Sequence, residues 1–223
     1  MTSNEVDSIC GQVVDVLAVE LDDGLVFDPS TIKGEVIKED ADYEGVRVRF
    51  TGTLDGARVS MQIDVGFGDV VHPGPTLTEL PTLFDLPAPR MLCYSRESAI
   101  AEKLEAMIKL GELNSRMKDF YDIWSLSRQF EFAGADLAEA IRLTLGKRGT
   151  ALPGTVTAFS EVFINQKASQ WTAFRKRLGQ EHVLADFAEV IIDIRAFSKP
   201  VLSALDSGEC FDAQWIASGN WVR

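Results

Sequence analysis

Apolar residues recur at helical spacing in the first stretch of the chain: Val6, Ile9, Cys10, Val13, Val14, Val16, Leu17 and Leu21. This pattern predicts a helix over about 4–21, ended by Asp22-Asp23-Gly24. From Leu25 the period falls to two, and runs at 24–28, 31–38, 45–54 and 57–67 read as strands. Leu54-Asp55-Gly56 predicts a tight hairpin, because Asp-Gly readily takes the positive φ such a turn needs. In the second hairpin strand Val59, Met61, Ile63 and Val65 share one face, expected to be core. Arg58, Ser60, Gln62 and Asp64 share the other, which meets water or lines a site.

Residues 70–94 hold five of the eight prolines. Proline removes backbone donors, so this stretch reads as a long connection with no sheet strand, dividing an α/β part (1–94) from a helical part (95–223). Ser95 is a candidate N-cap for a helix striped by Ile100, Leu104, Met107 and Ile108 and stopped at Gly111. Asn114 or Ser115 is expected to cap a second helix through about Gln129. Further helices are predicted near 134–145, 154–165, 167–178 and 183–205, with Pro200 kinking or breaking the last. A tail carrying Trp215 and Trp221 is expected to fold back onto them. The fold class is α+β.

No apolar run approaches the roughly 18 residues of a membrane span, and the first residues lack a basic, signal-like region. Three widely spaced cysteines, outside any C-x-x-C pattern, fit a reducing cytoplasm better than a disulfide framework or a zinc site. The net charge of −12 is uneven: residues 1–100 carry 7 Lys/Arg against 18 Asp/Glu, and residues 101–223 carry 15 against 16. The acidic half repels a nucleic-acid backbone; the second half tolerates a polyanion.

There is no G-x-x-x-x-G-K-[ST] loop and no G-x-S-x-G elbow. Gly66-Phe67-Gly68 lacks the third glycine of a dinucleotide fingerprint. His72 and His182, the only histidines, read as surface or core residues. Carboxylate and cation chemistry remains, which points to phosphoryl or nucleotidyl transfer. Asp64, in mid-strand, is either a solvent-facing residue or a metal ligand or base. Lys103 lies off the apolar stripe, where it either contacts a phosphate or pairs with Glu97, Glu102 or Glu105 along its helix. Arg116, Lys118, Asp119 and Asp122 form either an ion-paired helix face or a site in which an aspartate orients Lys103 or Arg116 toward a nucleotide.

Three segments carry a resemblance: Met61 to Asp69 (M-Q-I-D-V-G-F-G-D), Tyr94 to Ala106 (Y-S-R-E-S-A-I-A-E-K-L-E-A) and Asn114 to Asp122 (N-S-R-M-K-D-F-Y-D). In order and spacing, over about residues 20–200, they resemble the nucleotidyltransferase toxins of the AbiEii/AbiGii type. The resemblance implies a polymerase β-like mixed sheet, present in part, followed by a helical half that completes the site. It also implies a bacterial type IV toxin–antitoxin or abortive-infection module and a Mg2+-dependent transferase acting on GTP or another NTP. The acceptor would be RNA (tRNA for some relatives), and the partner a winged-helix antitoxin encoded nearby. On this resemblance Asp64 is a catalytic metal carboxylate, Lys103 contacts NTP phosphates, Arg116 and Lys118 give electrostatic support, and Asp119 and Asp122 are the two aspartates of the R-x-K-D segment. The family's opening motif, Gly-Ser followed about ten residues on by Asp-x-Asp, has no counterpart. No Gly-Ser pair occurs, and Asp40-Ala41-Asp42 reads as a turn. The chain reads as starting just after that motif. With Asp64 alone, metal affinity and transfer are expected to fall, which keeps open an alternative: a non-catalytic protein binding NTP or antitoxin in the same groove. Lys147, Arg148, Lys167, Arg175, Lys176 and Arg177 are candidate RNA contacts set against a solvated-surface reading.

Overall fold

A computed structural model describes residues 3–40, 43–83, 85–217 and 219–223. The chain divides into two compact units, Met1–Asp69 and Val70–Arg223.

In the first unit, helix α1 (Ser3–Leu17) precedes three strands, β1 (Leu25–Asp40), β2 (Tyr43–Leu54) and β3 (Ala57–Gly66), in the order β1-β2-β3. Both pairings are antiparallel, whereas the family resemblance implied a mixed sheet. Asp55 and Gly56 take φ of 47° and 78°, the geometry of a two-residue hairpin turn. Val46, Val48 and Phe50 alternate along β2 onto one face and are buried there with Val13 of α1. The helix stops four residues before the expected Leu21 because its apolar stripe outruns the sheet: Val16, Val19 and Leu21 are all exposed. The two expected strands at 24–28 and 31–38 are one, with a register irregularity between Asp28 and Lys33. Pro29 falls in that break, where no ladder donor is needed. Met61 packs on the core as expected, but Ile63 is 40% exposed. Asp40-Ala41-Asp42, read as a turn, falls partly on residues outside those described.

The second unit begins earlier than the expected 94/95 boundary. Ser95 Oγ and Ser98 Oγ both donate to the His72 carbonyl, at 2.9 and 3.0 Å, and the His72 N–H donates to Ser98 Oγ at 2.8 Å. The proline-rich stretch is therefore clasped to the start of the helical unit. It also contains a ribbon that the proline count had excluded: β4 (Thr76–Glu79) pairs antiparallel with β5 (Arg90–Cys93). The prolines flank these strands and none lies within them, so no ladder donor is lost.

Helix α2 (Arg96–Leu110) is capped by Ser95, whose hydroxyl accepts from the Ser98 N–H, and ends at Gly111 with φ 49°. Next come α3 (Met117–Gln129), β6 (Phe132–Ala133), α4 (Gly134–Arg148), α5 (Glu161–Leu178), α6 (Phe187–Ser207), β7 (Gln214–Trp215) and β8 (Trp221–Val222). The helices expected at 154–165 and 167–178 become a 3-10 turn at Thr157–Phe159 and one continuous α5. The expected gap at Gln166 lies inside α5, and the adjacent Lys167 is buried with its ammonium 5.5 Å from the Phe163 ring centroid. Pro200 sits inside an unbroken α6, where buried Phe197, Val201 and Leu202 hold both sides of it.

The core of this unit is aromatic. Phe120, Phe163, Trp171 and Phe187 form one cluster, and Phe132, Phe197, Trp215 and Trp221 form another. All four indole N–H groups are bonded: Trp124 to Asp193, Trp171 to the Leu184 carbonyl, Trp215 to that of Ser127 and Trp221 to that of Phe197. The tail thus folds back as expected, and β7 completes a ribbon with β6 and β8.

Gly34 passes so close to α1 that an added Cβ would lie 2.5 Å from Cys10 Sγ and 2.6 Å from Val6 Cγ1. Gly34→Ala is expected to destabilise the first unit by about 1–3 kcal/mol through overpacking, read as lost amide-exchange protection in β1 and β2 with the second unit unchanged.

Candidate functional site

The candidate residues lie in both units. In the first, the Asp64 carboxylate on β3 sits opposite Arg47 on β2. Arg47 Nε and Nη2 donate to its two oxygens at 2.7 and 2.8 Å, and Gln62 Nε2 adds a bond of 3.2 Å. The hydrogen bonds from Arg47, above all, hold the Asp64 pKa below the ordinary carboxylate value. Asp64 therefore stays anionic at neutral pH and is a weak proton acceptor. Neighbouring Arg49 bridges Gln62 and Glu35, so Glu35, Arg47, Arg49, Gln62 and Asp64 are cross-linked over the polar face of the sheet.

In the second unit the reversal between α2 and α3 gathers Lys103, Lys118, Asp119 and Asp122. Asn114, fully buried, forms the corner: its side-chain oxygen accepts from the Arg116 N–H at 2.9 Å in a turn just before α3, whose N-cap is Arg116 and not the expected Asn114 or Ser115. Its Nδ2 has no partner among the described residues. Asp119 and Asp122 are one helical turn apart and both face α2. Lys103 Nζ lies 3.5 Å from Asp119 Oδ1 and 3.0 Å from Asp122 Oδ2. Lys118 Nζ reaches the same Asp122 oxygen at 2.6 Å. The Lys103 side chain is 23% exposed, and those of Asp119 and Asp122 are 15% and 17% exposed. Burial alone would lower the Lys103 pKa; the bond and charge of Asp122, with Asp119, outweigh it and raise the value above normal. Lys103 does not pair along its own helix: Glu102 and Glu105 instead meet Arg148, and Glu105 also meets Thr150.

Arg116 is exposed and forms no ion pair among the described residues. It opens onto a groove of about 730 Å³ between α3 and α5, lined also by Lys118, Asp119, Gln170, Phe174 and Arg177. Arg177, likewise exposed and without an ion pair among the described residues, faces the same space. Phe174 packs with tilted rings against Tyr121 and Trp171, centroids 5.9 and 5.5 Å away. Gln170 and Phe174 carry no sequence signal for this role; only the i, i+4, i+7 spacing with Arg177 marks them as one helix face. Of the other cations considered for RNA, Arg148 is held by Glu105, Lys167 is buried, and Arg175 donates to the Val183 carbonyl.

The donor set does not fit a Mg2+ ion. Hard cations take several oxygens, yet Arg47 occupies both Asp64 oxygens and lysines hold Asp119 and Asp122. No group of three or more His, Cys, Asp or Glu that could hold a metal occurs among the described residues.

The chain is α+β with small antiparallel sheets, and its lysine–aspartate cluster opens onto a groove that also carries Arg116 and Arg177. The family model for the AbiEii nucleotidyl transferase toxin of type IV toxin–antitoxin systems matches residues 2–192, and the chain belongs to that family. Comparison with curated proteins and with solved structures gives no match. The family is one of toxins with nucleotidyltransferase activity, which implies a nucleotide substrate and an antitoxin partner. No helix among the described residues is long and apolar enough to cross a membrane.

Lys103→Met leaves two half-buried carboxylates with Lys118 alone and is expected to cost about 1–3 kcal/mol of stability at neutral pH. Because the folded Lys103 pKa is raised, its contribution is full below the ordinary value of 10.5 and fades as pH rises through the folded value. Urea unfolding of wild type and variant should therefore show a gap that is steady around neutral pH and narrows in strongly alkaline buffer.

Proposed function

We propose that the chain binds an NTP through the α2–α3 cluster and delivers its NMP to an RNA acceptor, tRNA among the candidates, laid along the groove between α3 and α5. The observation that carries this reading is Lys103 fixed between Asp119 and Asp122, beside a groove with two arginines that meet no carboxylate among the described residues. An ammonium has three donors, and two of those of Lys103 are used, leaving one for a phosphate oxygen. Asp119 and Asp122 position that donor. Arg116 and Arg177 suit successive phosphodiesters, and Phe174 offers an apolar wall for a base. In the transfer an RNA hydroxyl oxygen bonds to the α-phosphorus and releases its proton to solvent, the bond from that phosphorus to the α–β bridging oxygen breaks, and pyrophosphate leaves. Mg2+ is the family's divalent metal by resemblance, and no step here is assigned to it. The cytoplasm is the compartment that fits an RNA acceptor.

The Arg47 clamp on Asp64 supports a second reading, in which the same groove binds NTP or an antitoxin without transfer. Titration calorimetry with GTP, with and without Mg2+, combined with transfer of radiolabelled NTP onto total RNA, separates the two. Transfer abolished by Lys103→Ala and weakened at least tenfold by Arg116→Ala supports the enzyme. Binding without transfer supports the second reading, and no binding, with Lys103→Ala behaving as wild type, defeats both.

A further inference from the structure

Lys167 is a cation that neither the core nor the transfer accounts for. It is 8% exposed, on the buried stripe of α5 between Phe163 and Trp171. Its ammonium lies over the Phe163 ring and makes no hydrogen bond or ion pair among the described residues. A cation–π contact of that length is a weak substitute for water, and a buried ammonium without an anion lowers stability. For packing alone, methionine would fill the position more stably.

The surroundings of Lys167 point to what it meets. Phe120 packs on Phe163, and the next residue, Tyr121, packs on Phe174. The part of α5 between these contacts, which carries Lys167, therefore passes under the first turn of α3. That turn, with Ser115 and Arg116, forms one wall of the groove, and Gln170 and Phe174, one and two turns beyond Lys167, form the other. Donors crowd this end: the Lys167 ammonium, Arg116, the first-turn amides of α3 that lack a carbonyl within the helix, and Asn114 Nδ2. The carboxylate of the same turn, Asp119, is engaged by Lys103. Asn114 Nδ2 is the one side-chain nitrogen or oxygen among the described residues that is both sealed from solvent and unbonded. The Lys167 ammonium, also unbonded, therefore keeps a contact with solvent through which an anion can reach it. We infer that Lys167 is a further binding residue of this groove, taking a phosphate group of the substrate, from the RNA backbone or from the NTP, beneath the first turn of α3. The inference rests on the reading that RNA or a nucleotide occupies the groove. A phosphate brings acceptor oxygens and negative charge to the place where donors outnumber acceptors, and the N-terminal end of α3 favours that charge further.

A binding residue of this kind works against the stability of the empty protein, which separates it from a lysine kept for packing. Lys167→Met retains the unbranched stem and discards the charge. In phosphate-free buffer at neutral pH its urea midpoint should equal or exceed that of wild type. Fluorescence anisotropy of a labelled single-stranded RNA and calorimetry with GTP should show a loss of affinity of about tenfold for one of the two, and the ligand affected names the source of the phosphate. If it is RNA, the slope of log affinity against log salt should also fall by about one. Lys199→Met removes the same charge from an exposed position on α6 and should bind both ligands as wild type does. Wild-type affinity of Lys167→Met for both ligands, or a loss that Lys199→Met reproduces, overturns the inference. So does a urea midpoint below that of wild type, which would make Lys167 a part of the core. Transfer onto RNA that Lys167→Met retains with unchanged KM for both substrates leaves the proposed function standing without this site. A wild type that binds neither ligand removes both.

Discussion

A half-buried lysine and two half-buried aspartates each cost free energy apart and are stable together, and this condition governs the second unit. Lys103 comes from α2, Asp119 and Asp122 from α3, and Gly111 and Asn114 fold the chain back so that they meet. The burial of Leu104, Met107, Phe120 and Ile123 in the common core brings the two helices side by side. The ion network then sets their relative rotation, because a helix turned by one residue would leave a carboxylate facing apolar side chains. The same rotation leaves Arg116 outside the network, on the wall of the groove. Structure and proposed activity therefore rest on one charge arrangement.

The first unit obeys a different rule. Its sheet has a helix on one face only, so the other face is polar and satisfies itself by cross-strand pairs: Arg47 with Asp64, and Arg49 with Gln62 and Glu35. That solution fixes register, since a slip of one residue would send Val46, Val48 and Phe50 into water. It also ties up Asp64, the carboxylate that the family resemblance marks for metal chemistry. In this chain the strand aspartate acts first as a register pin.

Much of this was legible in the residues. The Ser95 cap, the Gly111 stop, the Asp55-Gly56 hairpin and the alternation along β2 and β3 depend on neighbours a few positions away, and local spacing reveals them. Even the Arg47–Asp64 pair follows from counting back from the hairpin, a step the alternation of β3 alone does not supply. What escaped depends on distant partners. The β4–β5 ribbon was hidden because prolines were weighed as a group, while pairing depends only on whether they fall inside the strands. Continuity of α6 through Pro200 is set by packing against other helices, which overrides local propensity. The groove beside Arg116 needs α5 laid against α3, and no spacing within either helix encodes that. The lysine–aspartate contact lies between these extremes: helical offsets put Asp119 and Asp122 on one face, but the choice of Lys103 over Arg116 as their partner required the corner at Asn114.

The distribution of indole rings gives the molecule an optical asymmetry. All four tryptophans belong to Val70–Arg223, where each is locked by a bond to its N–H, and the α1–β3 unit has none. Tryptophan emission therefore follows the helical unit alone, while far-ultraviolet dichroism registers both. A mismatch between the two signals during denaturation would reveal that the halves melt as separate cooperative bodies, without any label being introduced.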